Sequence, residues 1–349
     1  MRECCPSTLH PITSQRSVES SNVSLDVRAE VVGVDEKKSV SIGWSDGHRS
    51  VFSEKWLLDH SQKSWFSSLV RERIPKPHLW KNQAQLEKMP QIEYEDNPSK
   101  ESIRNTLNTI HQYGFARIVH TPPTPEATFS YCHKLCSSQN TLWGSCWDYT
   151  IDARNLSSDI PDTAYDNTAI PPHTDCSYLW NSAGIQVFHC LKHEGEGGLN
   201  PLVDGFYIAD RIRQENPSAY DFLSTYPMEW YHNEKDHKIH TFQPIIRTED
   251  GELKQIRFND VDRAPPPFDE KRMEEYYRSL KVWVKMINDP ENQLVLKLLP
   301  GTILMVNNWR VLHARTAYTG IRRMCGLYLD PDSFIDRLRV LSSFFGLVG

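Results

Sequence analysis

The sequence predicts a mainly β protein with flanking helices, in which a β-sandwich core carries helices on its outside and a small β-rich domain comes first. Three observations predict it. Residues 24 to 53 alternate apolar and polar side chains in short runs that reverse at Asp46-Gly47. Amphipathic helical stretches come before about residue 289, and the text after about residue 293 is strand-like. Hydrophobic residues make up 39% and charged residues 24%, enough apolar material for a large packed core in 349 residues.

"LDVRAEVVGV", "KKSVSIGW" and "WSDGHRSVF" read as three strands, and "SEKWLLDHS" as a short helix. From Arg71 to Pro98 the prolines 75, 77, 90 and 98 interrupt any periodic pattern. The division expected is a small domain over 1–80, a linker over 81–98 and a large domain over 99–349. "SKESIRNTLNTIHQYGFARIVH" predicts a helix passing into a strand through Tyr113-Gly114-Phe115, and "TPEATFSYCHKLC" a second helix. "AGIQVFHCLKH" predicts a strand, Gly195, Gly197 and Gly198 a turn, and Asp204 a cap for the helix "GFYIADRIRQ". Over 269–288, Met273, Tyr276, Tyr277, Leu280, Val284 and Ile287 form a stripe of helical period. "NQLVLKLL", "TILMVNNW" and "RMCGLYLD" close the chain as strands. No internal repeat or low-complexity tract is visible.

A net charge of −6 gives no general attraction to nucleic acid or to anionic membranes. No apolar run approaches the ~18 residues of a membrane span. Cysteines 4, 5, 132, 136, 146, 176, 190 and 325 form no C-x-x-C unit and are too sparse for a disulfide scaffold, which suggests a reducing interior. The first residues show neither a signal core nor an amphipathic presequence, so the cytoplasm is the expected compartment.

The chemistry centres on "IPPHTDCSYLW". On an extended segment His173 and Asp175 point to one face, where imidazole and carboxylate can share a metal ion. A third ligand is available at His313 in "NNWRVLHAR". Two histidines and one carboxylate leave three adjacent positions open, the facial set that suits non-haem Fe(II) and oxygen. Nine residues on, Arg322 can hold a distal carboxylate with both arms of its guanidinium. His189 and His193 are four apart on a strand, too far for a shared ion, and read as strand residues. Cys176 and Cys190 read as packing residues near the site.

With these residues in place the chain resembles the 2-oxoglutarate-dependent oxygenases. "DTAY…HTD", "GIQVFHCLKHEG", "LVDGFY", "NNWRVLH" and "RMCGLY" resemble their carnitine-biosynthesis branch of trimethyllysine and γ-butyrobetaine dioxygenases, more closely the former, over nearly the whole chain. The resemblance implies a double-stranded β-helix (jelly-roll) domain, Fe(II) on His173, Asp175 and His313, and the C5 carboxylate of 2-oxoglutarate on Arg322. Ascorbate is implied as reductant, and mitochondria enter as a second compartment. It implies C3 hydroxylation of trimethyllysine, with γ-butyrobetaine hydroxylation or a catalytically silent relative as alternatives. The partner implied is a small quaternary ammonium compound, and a homodimer is the oligomeric expectation.

For that cation the resemblance implies an aromatic cage of Trp143, Trp147, Tyr165 and Tyr328, with Asn259 as a further substrate contact. A trimethylammonium donates no hydrogen bond and is recognised by ring faces. Trp143 stands where relatives carry tyrosine, Asn307 where they carry aspartate, and the 18 residues from Trp147 to Tyr165 are longer than in relatives. Asp162 stands where the butyrobetaine branch tends to carry asparagine and is expected to favour the α-ammonium of trimethyllysine. In the small domain, Cys4, Cys5 and His48 match part of a family zinc site, but Thr8 replaces a third cysteine. A structural zinc takes four protein ligands, so none is expected here.

Overall fold

The computed structural model of the protein describes residues 2, 5–13, 15–59, 76–86, 88–155, 163–234, 236–266 and 270–346. It divides into two compact units, Met1–Arg73 and Ile74–Gly349. In the first, strands β1 (Ala29–Val34), β2 (Val40–Trp44) and β3 (Arg49–Phe52) form an antiparallel meander, followed by helix α1 (Glu54–Asp59). Ile42 and Phe52 are its apolar centre, with Cys5 buried beside them. The Cys5 thiol lies 3.0 Å from Ser7 Oγ, which is 3.4 Å from His48 Nε2. Burial pushes this thiol up, but hydrogen bonds from Ser50, Ser7 and His48 outweigh it and bring the pKa down to about 6. Cys4 lies outside the described residues.

The second unit begins earlier than the proline pattern suggests. Trp80 is fully buried, and Gln91–Glu93 forms β4, parallel to β5 (Phe115–Val119). The stretch 81–98 expected as a linker therefore contributes to the large sheet. Three residues are too few to show a period of their own, and the neighbouring strand supplies the pairing.

Helix α2 (Lys100–Tyr113) precedes β5, capped by Ser99 and closed by Gly114 in the left-handed region at φ 78°. Then come α3 (Pro125–Leu135), β6 (Trp147–Asp152), β7 (Ile170–His173), β8 (Ile185–His193) and β9 (Leu199–Asp204). Helices α4 (Gly205–Glu215) and α5 (Pro217–Thr225) follow, then the hairpin strands β10 (Met228–Asn233) and β11 (Lys238–Gln243), and β12 (Ile246–Glu249) and β13 (Glu252–Ile256). The chain ends with α6 (Glu270–Asn288), β14 (Leu294–Lys297), β15 (Thr302–Asn307), β16 (Val311–Arg315), β17 (Ile321–Leu329) and α7 (Pro331–Gly346).

Two sheets make the double-stranded β-helix: a major one in the order β4-β5-β15-β8-β17-β6 and a minor one in the order β14-β9-β16-β7. Phe115, Cys190, Leu304, Val306 and Met324 of the first pack on Leu202, Leu294, Leu296 and Val311 of the second. Along β8 and β17 alternate residues turn outward, where Val187, Leu327 and Leu329 meet Leu107 and Ile110 of α2, Leu135 of α3 and Leu338 of α7. The minor sheet is covered by α4, α5 and α6, whose Phe206, Ile212, Phe222 and Trp283 pack with Val203 and Leu312. The buried stripe of α6 is Tyr276, Leu280, Trp283 and Ile287, whereas Tyr277 is 47% exposed and Val284 half-buried. The large indole wins the buried slot because it covers more apolar surface than valine.

Candidate metal centre and substrate pocket

β7 ends at His173, and β16 pairs with it so that His313 lies directly opposite. The two rings stand 4.4 Å apart. Asp175, two residues beyond, places Oδ1 3.2 Å from His173 Nε2 and 3.4 Å from His313 Nε2. Among the described residues this is the one group of three or more histidine, cysteine or acidic side chains able to share a metal ion. His173 Nδ1 donates to the Pro171 carbonyl at 2.8 Å, which fixes the tautomer and leaves Nε2 for the ligand side. Asn308 clamps the Asp175 backbone from both directions: its Oδ1 accepts from Asp175 N at 2.7 Å and its Nδ2 donates to Asp175 O at 3.0 Å. The outer carboxylate oxygen, Oδ2, accepts from the Tyr328 hydroxyl at 3.0 Å.

Electrostatics match a ligand set. Burial works to raise the Asp175 carboxyl, but His313 and His173, when protonated, outweigh it through their charge and Nε2–H hydrogen bonds and hold it far below the usual range. Burial lowers His313. On His173 burial also acts downward, but Asp175 wins and the imidazole is raised. Burial and the Asp175 charge push the Tyr328 phenol well up, so it stays a donor.

Trp143, Trp147, Tyr165, Tyr328 and Asn259 line one pocket with His173, Asp175, His313 and Arg322. Asp162 lies outside the described residues. The aromatics do not form one ring of four. Trp147 stacks on Tyr149 with centroids 5.4 Å apart, and Tyr149 meets Tyr165 at 5.0 Å. Trp147 has room because position 326 is glycine: a Cβ there would meet its indole at 2.3 Å and Val187 O at 2.0 Å. Trp143 stands apart, its indole N–H donating to Tyr178 OH at 3.0 Å and its edge against His232.

Arg322 is 4% exposed on the inward face of β17. Among the described residues it makes no hydrogen bond or ion pair, and its Nε is buried without a partner. Its one ring contact is Tyr318, 5.5 Å below the guanidinium. A buried cation whose donors are unmet fits an anionic ligand, and a planar fork fits a carboxylate. Arg323, next along the strand, faces the other way and pairs with exposed Asp148 at 2.6 Å. His189 is buried in the outer layer, 2.6 Å from Thr128 Oγ1, and His193 pairs across the strands with Arg322. Cys176 and Cys190 are buried packing residues. Asp204 does cap α4, and it also forms a buried pair with Arg310 at 2.7 Å.

Sequence reasoning missed several lining residues. Tyr149 was available from the period of two that starts at Trp147. Gln186 and Asn200 line the pocket with buried amide oxygens that have no partner. Nothing local in the sequence signals them. Asn308 sits next to Asn307, which instead accepts from Trp309 N within the turn.

A two-sheet barrel with this three-residue centre and an unmet inward arginine defines a metal-dependent dioxygenase of the 2-oxoglutarate type. The chain belongs to the taurine catabolism dioxygenase TauD, TfdA family, matched over residues 82–328, in its trimethyllysine and γ-butyrobetaine dioxygenase branch. It is 34% identical to mitochondrial trimethyllysine dioxygenase of Rattus norvegicus, over 94% of this chain and 78% of that one. Identity is 33% to trimethyllysine dioxygenase of Meyerozyma guilliermondii, over 97% and 88%. It is 26% to γ-butyrobetaine dioxygenase of a Pseudomonas species, over 98% and 89%. In fold it is similar to a taurine dioxygenase from Burkholderia xenovorans, with TM-score 0.53 and 11% identity over 74% of this chain and 93% of that one.

Proposed function

We propose that the chain hydroxylates trimethyllysine at C3, with 2-oxoglutarate and O2 as co-substrates. The observation that carries this reading is the unmet guanidinium of Arg322 in the same pocket as the His173–Asp175–His313 set and several aromatic rings. His173, Asp175 and His313 would hold Fe(II), with Arg322 holding the far carboxylate of 2-oxoglutarate. When bound, the iron couples conversion of 2-oxoglutarate to succinate and CO2 to insertion of one oxygen atom into a C–H bond.

The protein's own part is ligation, positioning and exclusion of water. The Pro171 carbonyl and Asn308 keep two ligands aimed before any ligand arrives. Arg322, desolvated and without a rival acceptor, orients the co-substrate. Ring faces of Trp143, Trp147, Tyr165 and Tyr328, all in the lining of this pocket, are assigned to the trimethylammonium, at ~0.5–2 kcal/mol per contact. Asn259 and Asp162 are assigned to the amino-acid end, Asp162 to the α-ammonium. Ascorbate is the proposed reductant that keeps the iron ferrous, and the mitochondrial relatives support a mitochondrial site of action.

The test is turnover by the purified protein with trimethyllysine and γ-butyrobetaine side by side, read as succinate and hydroxylated product. Clear preference for trimethyllysine is expected, eroded by Asp162→Asn. His313→Ala should lose both iron retention and succinate formation. Equal use of both betaines would refute the substrate assignment, and an active His313→Ala would refute the ligand assignment.

A further inference from the structure

We propose that Tyr328 is a positioning residue for the metal site, its hydroxyl fixing the plane of the Asp175 carboxylate and so setting how tightly the site holds a divalent ion. This rests on the reading of His173, Asp175 and His313 as metal ligands. Its starting observation is the 3.0 Å hydrogen bond from Tyr328 OH to Asp175 Oδ2.

A carboxylate turns easily about its last torsion, which is broad and nearly two-fold. Two contacts fix the rest of Asp175, because Asn308 holds its backbone N–H and its carbonyl. The remaining freedom is which oxygen faces the imidazoles. With Oδ2 taken by the phenol, Oδ1 is presented to His173 and His313 at 3.2 and 3.4 Å. The phenol is well placed for this task. Tyr328 is 7% exposed, lies on the inward face of β17, and is paired across the sheet with Gln186. Partners of metal-ligating carboxylates typically change metal affinity about 10–100-fold when removed.

The ring face and the hydroxyl of Tyr328 make separable predictions. A residue that acts only as a cage wall needs the ring, which phenylalanine keeps. A residue that pins Asp175 needs the oxygen, which phenylalanine lacks. Mn(II) alone is titrated by calorimetry into metal-free full-length protein under nitrogen, comparing wild type, Tyr328→Phe and Trp143→Phe. Tyr328→Phe should weaken Mn(II) binding about 10–100-fold. Trp143→Phe, which removes no hydrogen bond to Asp175, should bind Mn(II) as wild type does and raise the apparent KM for trimethyllysine. Tyr328→Met, which fills the space without a donor, gives a second reading of the same loss should the phenylalanine variant not fold. Wild-type Mn(II) affinity in a folded Tyr328→Phe or Tyr328→Met overturns the proposal and leaves the proposed hydroxylation standing. Failure of the wild type to oxidise trimethyllysine would refute that activity alone, since the Mn(II) titration needs no substrate.

Discussion

Arg310 and Arg322 lie twelve residues apart in sequence, one on each side of His313, and they are 1% and 4% exposed. Their surroundings differ completely. Arg310 meets both oxygens of Asp204, at 3.0 Å through Nε and 2.7 Å through Nη2. It also donates to the carbonyls of His78, His111 and Gln112. Asp204 in turn accepts from Trp80 N and Phe206 N. This junction ties β9, the turn before β16, the end of α2 and the segment at Trp80 into one satisfied network. Arg322 has none of this among the described residues. A buried charge costs several kcal/mol unless it is paired. The comparison teaches that the first arginine acts as a strut, whereas the second has donors left free to meet an anionic ligand.

Removing one partner should therefore act on stability in one region and on binding in the other. The largest effect on stability is expected for Asp204→Ala. It strands a buried guanidinium and removes a helix cap, and a broken buried pair costs about 3–5 kcal/mol. Denaturant unfolding measures it, and a loss under about 1 kcal/mol would show that the network is not the strut described. Next is Arg322→Lys, which keeps the charge and loses the planar fork. Apparent 2-oxoglutarate affinity should fall by about 1–3 kcal/mol, read from the dependence of succinate formation on its concentration. The smallest effect is expected at Arg323→Lys. Its pair with Asp148 is exposed and screened by solvent, so activity and stability should match those of wild type. If the two neighbours exchanged behaviour, the inward phase of β17 would be wrong.

Much of the site was legible because strand alternation is a strict rule. Arg322 against Arg323 follows from a period of two, and so does the inward run Arg322, Met324, Tyr328; Asp175 lies in the turn beyond β7, where the Asn308 clamp and not strand alternation brings it back to His173. The core packing of α6 was legible in outline, with Trp283 taking the place read for Val284. Contacts between distant parts of the chain were not legible. The Tyr328–Asp175 hydrogen bond spans 153 residues and the Asn308 clamp 133. Their geometry arises only when β17, β16 and β7 come together. The strand at Gln91–Glu93 was hidden for a related reason, since three residues take their conformation from β5. The hairpins β10–β11 and β12–β13 and helix α7 went unread because they carry none of the residues from which the site is inferred.

The central claim is that Arg322 is a buried cation reserved for the carboxylate of a co-substrate. Calorimetric titration of 2-oxoglutarate, with Mn(II) present under nitrogen, tests it most directly in wild type and Arg322→Met. The account predicts one 2-oxoglutarate bound per wild-type chain and no binding to the variant at the same concentration. The variant should melt at no lower temperature than wild type, since it removes an unpaired buried charge. Equal binding by both proteins would contradict the claim, and so would a variant that unfolds as readily as Asp204→Ala.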